Sequence, residues 1–358
     1  MTNMKITKKT IEELRKKGSQ RIPKTIQLSQ GAGGSMMESL IENVIAKKLE
    51  IKSSFVSSGI DRLEDAGIID LGNIKLAFTT DGCTVDPMFY PGGSLGSLSV
   101  GATINDLVVM GAKPIAISFG LMLEEGLPLK ILEKTLDRMA KVCKEAGVPI
   151  ITGDTKVMEK GKIDKLVINT AGIGIIEGDI ISDYGAKPGD KIFVSGTMGD
   201  HGISLIALRF GFKTSLKSDE AQLWGMMKQL FKIKGITSAK DATRGGFSPN
   251  INELARKSNV CFYVYEDKIP IKPEAKKLGE VLGIDPLSTA CEGKIIMTVK
   301  PDKADEILAA MRQNKYGKEA AIIGEIKKEP KGQVILETEI GGKRVLHTPV
   351  GELYPRIC

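Results

Sequence analysis

Four carboxylates stand out in this chain by where the local pattern puts them. Asp81 follows the apolar run Ile74-Lys-Leu-Ala-Phe-Thr-Thr, and Asp106 lies in Thr-Ile-Asn105-Asp. Asp154 lies in Gly-Asp-Thr155-Lys156, and Asp65 closes Asp61-Arg-Leu-Glu-Asp just before Ile68-Ile69. Asp81, Asp106 and Asp154 are expected where an apolar element gives way to a tight turn, and open α/β sheets gather ligand chemistry at strand ends. Several aspartates together suit Mg²⁺, a hard cation that takes a few carboxylates and shares its other positions with phosphates. Taken singly, each Asp is equally suited to capping a turn or a helix start.

Glycine loops supply the complementary half. Gln30-Gly31-Ala-Gly33-Gly34 and Pro91-Gly92-Gly93 each precede a helical pattern. Backbone without side chains there can turn N–H groups toward phosphate oxygens. Neither loop matches a Walker or a Rossmann signature, so each alone reads as a turn. Asn105 and Thr155, beside two of the aspartates, and Arg244 in Asp241-Ala-Thr-Arg-Gly-Gly246 complete the candidate nucleotide-binding set. Arg244 either clamps a phosphate or pairs with Asp241.

Lys156 is placed to touch a transferred phosphoryl group or to act on a substrate. Glu292, in Cys291-Glu-Gly-Lys294 ahead of an apolar strand, is either an acid or base at a strand entrance or a turn residue. His201, in Gly199-Asp-His-Gly202, reads as a helix cap. The last residue, Cys358, is a thiol on a terminal segment, which a mobile arm can carry into a site as carrier or nucleophile.

The elements that must position these residues alternate strand and helix. Met36, Leu40, Ile41 and Val44 share one face and predict a helix over 35–48. The strand leading to Thr80 is expected to stop at Asp81-Gly82, and a helix to pass through Asn105 and Asp106. Another strand, 148–152, is expected to deliver Gly153-Asp154 into a turn. The loop 182–190, with Pro188-Gly189, is the expected domain boundary, and alternation resumes beyond it. The class is α/β or α+β, divided as a basic arm (1–25), a first domain (26–185), a second (186–348) and a tail (349–358).

Composition narrows the function. A chain of 358 residues, 42% hydrophobic and 27% charged, is ordinary for two globular domains. No apolar run reaches transmembrane length and the N-terminus lacks a secretory core, so cytoplasmic residence without a membrane partner is expected. Five scattered cysteines and two histidines favour free thiols over a disulfide framework or a zinc site. Much of the net charge of +7 sits in Lys5–Lys24; with 5% aromatics and no nucleic-acid motif it reads as a solvated surface, not a nucleic-acid site.

Together these stretches resemble one family. They are 80–93 (Thr80-Asp-Gly-Cys-Thr-Val-Asp-Pro-Met-Phe-Tyr-Pro-Gly-Gly93), Gly153-Asp-Thr-Lys-Val157, Asn169-Thr-Ala-Gly-Ile-Gly174, Ser195-Gly-Thr-Met-Gly-Asp-His-Gly202, Asp241–Gly246, Glu292-Gly-Lys294 and the final Pro355-Arg-Ile-Cys358. The pattern is similar to that of the HypE hydrogenase maturation factors, within the superfamily of aminoimidazole-ribonucleotide and selenophosphate synthetases. The likeness runs from about Ile26 to Cys358. It implies a two-domain PurM-like fold, with the N-terminal domains of a homodimer forming a shared β-barrel and Mg·ATP bound near their interface. The implied activity is ATP-dependent dehydration of a carbamoyl group on Cys358 to a thiocyanate, the source of the cyanide on the iron of [NiFe]-hydrogenase. The implied partners are the carbamoyltransferase HypF and the HypC–HypD iron scaffold.

On that reading Asp65, Asp81, Asp106 and Asp154 hold Mg²⁺, the glycine loops cradle phosphates, and Lys156 or Glu292 accepts the protons of the thiocarbamate. A tail from Pro349 spans roughly 30 Å when extended at about 3.3 Å per residue, enough to alternate between loading and reaction. Gln30 departs from the His with which such loops usually begin. Another superfamily enzyme, such as a selenophosphate synthetase, is disfavoured because no cysteine precedes Cys83. A non-catalytic assembly scaffold would not need the aspartates and Lys156.

Overall fold

The computed structural model describes residues 23–349. Most of the basic arm and the segment carrying Pro355, Arg356 and Cys358 lie outside the described residues. Helix α1 (Ser35–Leu40) starts at Gly34 and continues through a π-helical turn, Ile41–Ala46. The strands β1 (Val56–Ser58), β2 (Gly67–Asp70) and β3 (Lys75–Cys83) follow, then a two-residue ribbon of β4 (Phe89–Tyr90) and β5 (Gly93–Ser94). Helix α2 (Leu95–Val109), β6 (Ala112–Glu124), α3 (Leu129–Ala146), β7 (Ile150–Met158) and β8 (Leu166–Ile176) complete the first half. Its sheet has the order β1-β2-β3-β8-β6-β7, antiparallel except where β7 runs parallel to β6 along the edge.

The second half opens with β9 (Lys191–Val194), α4 (Asp200–Arg209), α5 (Trp224–Ile233) and β10 (Ile236–Asp241). Next come α6 (Phe247–Ser258), β11 (Cys261–Tyr265), α7 (Pro273–Leu282) and β12 (Ile295–Val299). It ends with α8 (Ala304–Gln313), β13 (Ala321–Lys327), β14 (Gln333–Glu337) and β15 (Lys343–Val345). These strands form a seven-stranded sheet in the order β10-β12-β9-β13-β11-β14-β15.

Helix α2 explains why the halves are one packed body. It is apolar on nearly every side and buried from Leu95 to Val109 except at Ser97 and Asp106, as expected of a helix enclosed by other elements. One side covers β3, β6 and β8; another meets α5 and β10 of the second half. Leu95, Leu98 and Ile104 of α2 therefore share a core with Phe193, Leu205, Met226 and Ile295. Helix α3 is two-faced instead, burying Thr135, Met139 and Ala146 and ending at Gly147 in the left-handed conformation (φ +69).

Two element ends differ from the sequence expectation, and each moves a candidate residue. Strand β3 runs on to Cys83, so Asp81 sits within a strand. Asp106 lies within α2, the helix expected through Asn105 and Asp106, and not in the turn beyond it. Strand β7 continues through Asp154, Thr155 and Lys156 to Met158. Gly153 is no turn glycine: the Phe119 ring on β6 lies where its Cβ would be, 2.6 Å away, so the residue is small because a ring crosses it. Among the described residues no helix is long and apolar enough to cross a membrane.

Candidate functional site

Three aspartates from distant parts of the chain converge between the two sheets. Asp65 precedes β2, Asp106 projects from α2, and Asp241 is the last residue of β10. One carboxylate oxygen of each lies within 4.8 Å of the others. The Thr79 hydroxyl stands 2.7 Å from Asp106 Oδ2 and 2.9 Å from the Asp65 carbonyl oxygen. Asp81 stands alongside, accepting from Thr103 Oγ1 on α2 at 3.1 Å.

Burial makes this cluster costly to ionise without a counter-charge. Asp106 is driven well above the usual carboxylate range by burial, reinforced by Asp81, Asp241 and Asp65. Asp241 is pushed up to about 8 by burial and then by Asp65, and burial also raises Asp81. The neighbouring cation is Lys240, whose Nζ is 2.5 Å from Asp65 Oδ1 and 3.5 Å from Glu253. Burial opposes the Lys240 charge, but Asp65 and Glu253 outweigh it and hold the amine well above its ordinary value.

Asp65 Oδ2 is buried with no hydrogen-bond partner. A buried carboxylate oxygen without a hydrogen-bond partner among the described residues, on a side chain grouped with two other carboxylates, needs an explanation. A hard divalent cation ligated by oxygen supplies one, so the residues present fit Mg²⁺.

The first glycine loop packs against the segment that follows Asp241. Gly33 (φ +82) packs so tightly on Arg244 that an added Cβ would lie 2.7 Å from the Arg244 carbonyl carbon, and Gly245 is pressed back against Gly33. Gly34 caps the start of α1, and Gly31 faces open space. The Arg244 charge is close enough to pull on the Asp81 carboxyl. Arg244 thus links the Gly31–Gly34 loop to the aspartates, an arrangement in which backbone N–H groups and a guanidinium can meet an anion.

Three other expected nucleotide ligands have partners within the chain. Asn105 Nδ2 donates to the Ala221 carbonyl at 2.9 Å and its Oδ1 accepts from Leu223 N–H at 2.9 Å, so both ends of its amide are bound to backbone. Gly92 (φ +99) lies where a Cβ would meet the Ser218 backbone, and Gly93 lies against the Glu220 carboxylate. The second glycine loop therefore packs against the second half. His201 is wholly buried at the start of α4, its Nδ1 2.8 Å from Ser218 Oγ.

Asp154, Thr155 and Lys156 are exposed on the edge strand β7. Asp81 pairs with Thr170, Thr170 with Phe119 and Phe119 with Gly153. Residues in one such row share a face, so Asp154 and Lys156 point to the face opposite Asp81. Within one chain they do not join the aspartate cluster. Glu292 is 2% exposed and follows Cys291, whose N–H donates at 3.0 Å to the carbonyl of Ala242, the residue after Asp241.

The chain matches the N-terminal domain of AIR synthase-related proteins over residues 63–176 and their C-terminal domain over 187–337. A carbamoyl dehydratase HypE from Rhizobium leguminosarum bv. viciae is 42% identical over 339 residues, covering 93% of this chain and 95% of the relative. This chain belongs to the HypE family. Among solved structures, a hydrogenase maturation HypE in complex with ATP is 39% identical at TM-score 0.78, covering 93% of this chain and all of that one. A HypE from a HypE–HypF complex is 40% identical at TM-score 0.80, covering 87% and 99%.

Against this HypE fold, the residues that sequence reasoning missed are Asp241 and Lys240. Asp241 was readable only as a partner for Arg244, because the strand it closes, Ile236-Thr-Ser-Ala-Lys-Asp, is too polar and too short to stand out. Lys240 gave no signal. A lone lysine in a strand looks solvated, and only the fold reveals that it is buried against two acids.

Proposed function

We propose that this chain is the ATP-dependent carbamoyl dehydratase of [NiFe]-hydrogenase maturation, acting on an S-carbamoyl group carried by its own Cys358. The observation that carries the reading is the largely buried Asp65–Asp106–Asp241 cluster, with Asp81 beside it under the charge of Arg244, which packs on Gly33. Such a site binds a polyanion through a divalent cation. The curated relative is named for the carbamoyl dehydration, and a solved HypE relative binds ATP.

The chemistry balances as R–S–C(=O)NH₂ plus ATP giving R–S–C≡N, ADP and phosphate. The carbamoyl oxygen attacks the γ-phosphoryl group, ADP departs, two nitrogen protons are removed and phosphate leaves with the former carbonyl oxygen. Oxide is a poor leaving group and phosphate a good one, which is why ATP is consumed. A bound divalent cation neutralises phosphate charge. The residues that would hold it are Asp65, Asp106 and Asp241, with Asp81 beside them; Arg244 and the glycine-loop N–H groups would orient the phosphates.

Glu292, buried at the cleft, is suited to take a proton from the thiocarbamate nitrogen. Asp154, Thr155 and Lys156 reach such a site only from a second copy of the chain. Edge strand β7, with Ile151 67% and Val157 64% exposed, is where that copy would pair to build a shared barrel. HypF, seen with a HypE relative, would load Cys358, and a HypC–HypD complex in the cytoplasm would receive the cyanide.

The decisive experiment is mass spectrometry of the C-terminal peptide after carbamoylation, before and after Mg·ATP. Loss of one water from the carbamoylated Cys358 is expected. Cys358→Ala should bind ATP normally and form no thiocyanate. Thiocyanate produced by that variant would overturn the carrier role.

A further inference from the structure

Asn105, Gly92 and Gly93 converge on one short segment, Ser218–Leu223. It is anchored to the first half at several points. Asn105 grips the Ala221 carbonyl and the Leu223 N–H. Ser218 N–H donates to the Pro91 carbonyl at 2.9 Å, Ser94 N–H donates to Glu220 Oε2 at 3.2 Å, and the Tyr90 hydroxyl bonds the same carboxylate.

The other side of this segment holds Glu292. Glu292 N–H donates to Asp219 Oδ1 at 3.0 Å, and the Glu292 carbonyl accepts from Ala221 N–H at 3.4 Å. Both backbone groups of Glu292 are therefore occupied by residues 219–221. Gly293 lets the two backbones touch, since a Cβ there would lie 2.7 Å from Ala221 N. Asp219 itself is deeply buried. Its Oδ2 has no hydrogen-bond partner and finds its cation in Lys294 Nζ at 3.6 Å, an ion-pair distance too long for a good hydrogen bond.

We infer that Asp219 is a positioning residue for Glu292, the working end of a strut that registers the general base against the nucleotide-binding half. This rests on the assignment of Glu292 as base in the dehydration above. A buried carboxylate is retained at a cost unless its geometry is used. Here its two oxygens fix the residues on either side of Gly293: one takes Glu292 N–H, the other draws in Lys294. Catalysis is sensitive to misplacements of about 1 Å, which can cost on the order of 100-fold.

The test uses full-length protein carbamoylated on Cys358, with single-turnover thiocyanate formation and ATP binding measured separately. Asp219→Ala should lower the rate on the order of 10- to 100-fold with ATP affinity unchanged. Asp219→Asn, which keeps the acceptor for Glu292 N–H, should recover most of the loss. In a Glu292→Gln background, Asp219→Ala should add little, because its effect passes through Glu292. An unchanged rate in Asp219→Ala, an equal further loss in the Glu292→Gln background, or loss of ATP binding together with rate would overturn the inference. No thiocyanate from wild type would instead defeat the proposed function.

Discussion

The two faces of the first sheet carry aspartates in opposite circumstances. On the helix face, Asp81 on β3 and Asp106 on α2 meet Asp65 and Asp241 in a buried cleft shared with the second half. On the open face, Asp154 stands exposed on the edge strand, its Oδ1 occupied only by the N–H of Thr155 at 2.9 Å. The first set is assembled by folding one chain. The second has the right residue types but lacks an environment, and that difference marks which part of the site a single chain completes.

The largest expected effect attacks the completed set. Asp241→Asn keeps the size and removes one of three converging carboxyl groups that a cation would draw into the ionised form, so Mn²⁺ used as a probe for the cation should lose its tight site in calorimetry. Turnover should fall on the order of 100-fold or more, the scale of lost charge stabilisation at a phosphoryl group. Retained tight Mn²⁺ binding would show that Asp81, not Asp241, completes the cluster.

How far this was legible in the sequence depends on the period that was read. Strand and helix alternation and the helix carrying Asn105 and Asp106 follow from local pattern. The roles did not follow, because they depend on which side of an element a residue faces and on what lies across from it. Asp106 looked like a turn acid because acids rarely sit inside an apolar helix; it sits there because three other acids create a site that uses it. Gly92, Gly93 and Gly153 looked like loop glycines, yet each is small because another group crosses it: Ser218, Glu220 and the Phe119 ring. Asp154 and Lys156 were grouped with the others by residue type alone, and the register assigns them to the opposite face.

The comparison of faces sharpens into a second, smaller effect. If the open-face residues serve a neighbouring copy, Asp241→Asn and Lys156→Ala lie in different halves of each composite site. Each variant alone should be nearly inactive. Mixed and re-equilibrated in equal amounts, half of the dimers would be hybrids with one intact site each, restoring about a quarter of wild-type activity. No recovery after verified subunit exchange would place Lys156 and the aspartates in the same chain's site.

The smallest effect concerns the joint between the halves and is read in stability. Glu220, clasped by Tyr90 and by Ser94 N–H, is raised from its ordinary 4.5 to about 7, chiefly by burial. Its folded form therefore keeps a proton that the unfolded chain has already released. Between those values the native state binds more protons, so stability is greatest at the acid end and declines as pH rises toward 7, at most roughly 3 kcal/mol from this group. Asp183, raised to about 7 by burial despite Lys257, contributes a slope of the same sign. Thermal melts of the protein should thus give a lower Tm at pH 7.5 than at pH 5.5. Glu220→Gln, neutral throughout, should flatten the difference in part, leaving the portion due to Asp183 and to the raised Asp241. A melt whose pH slope is unchanged in Glu220→Gln would mean that the joint carries its carboxylate ionised and that water reaches it. The segment from Ser218 to Leu223 would then be looser than the aspartate cleft it is proposed to align.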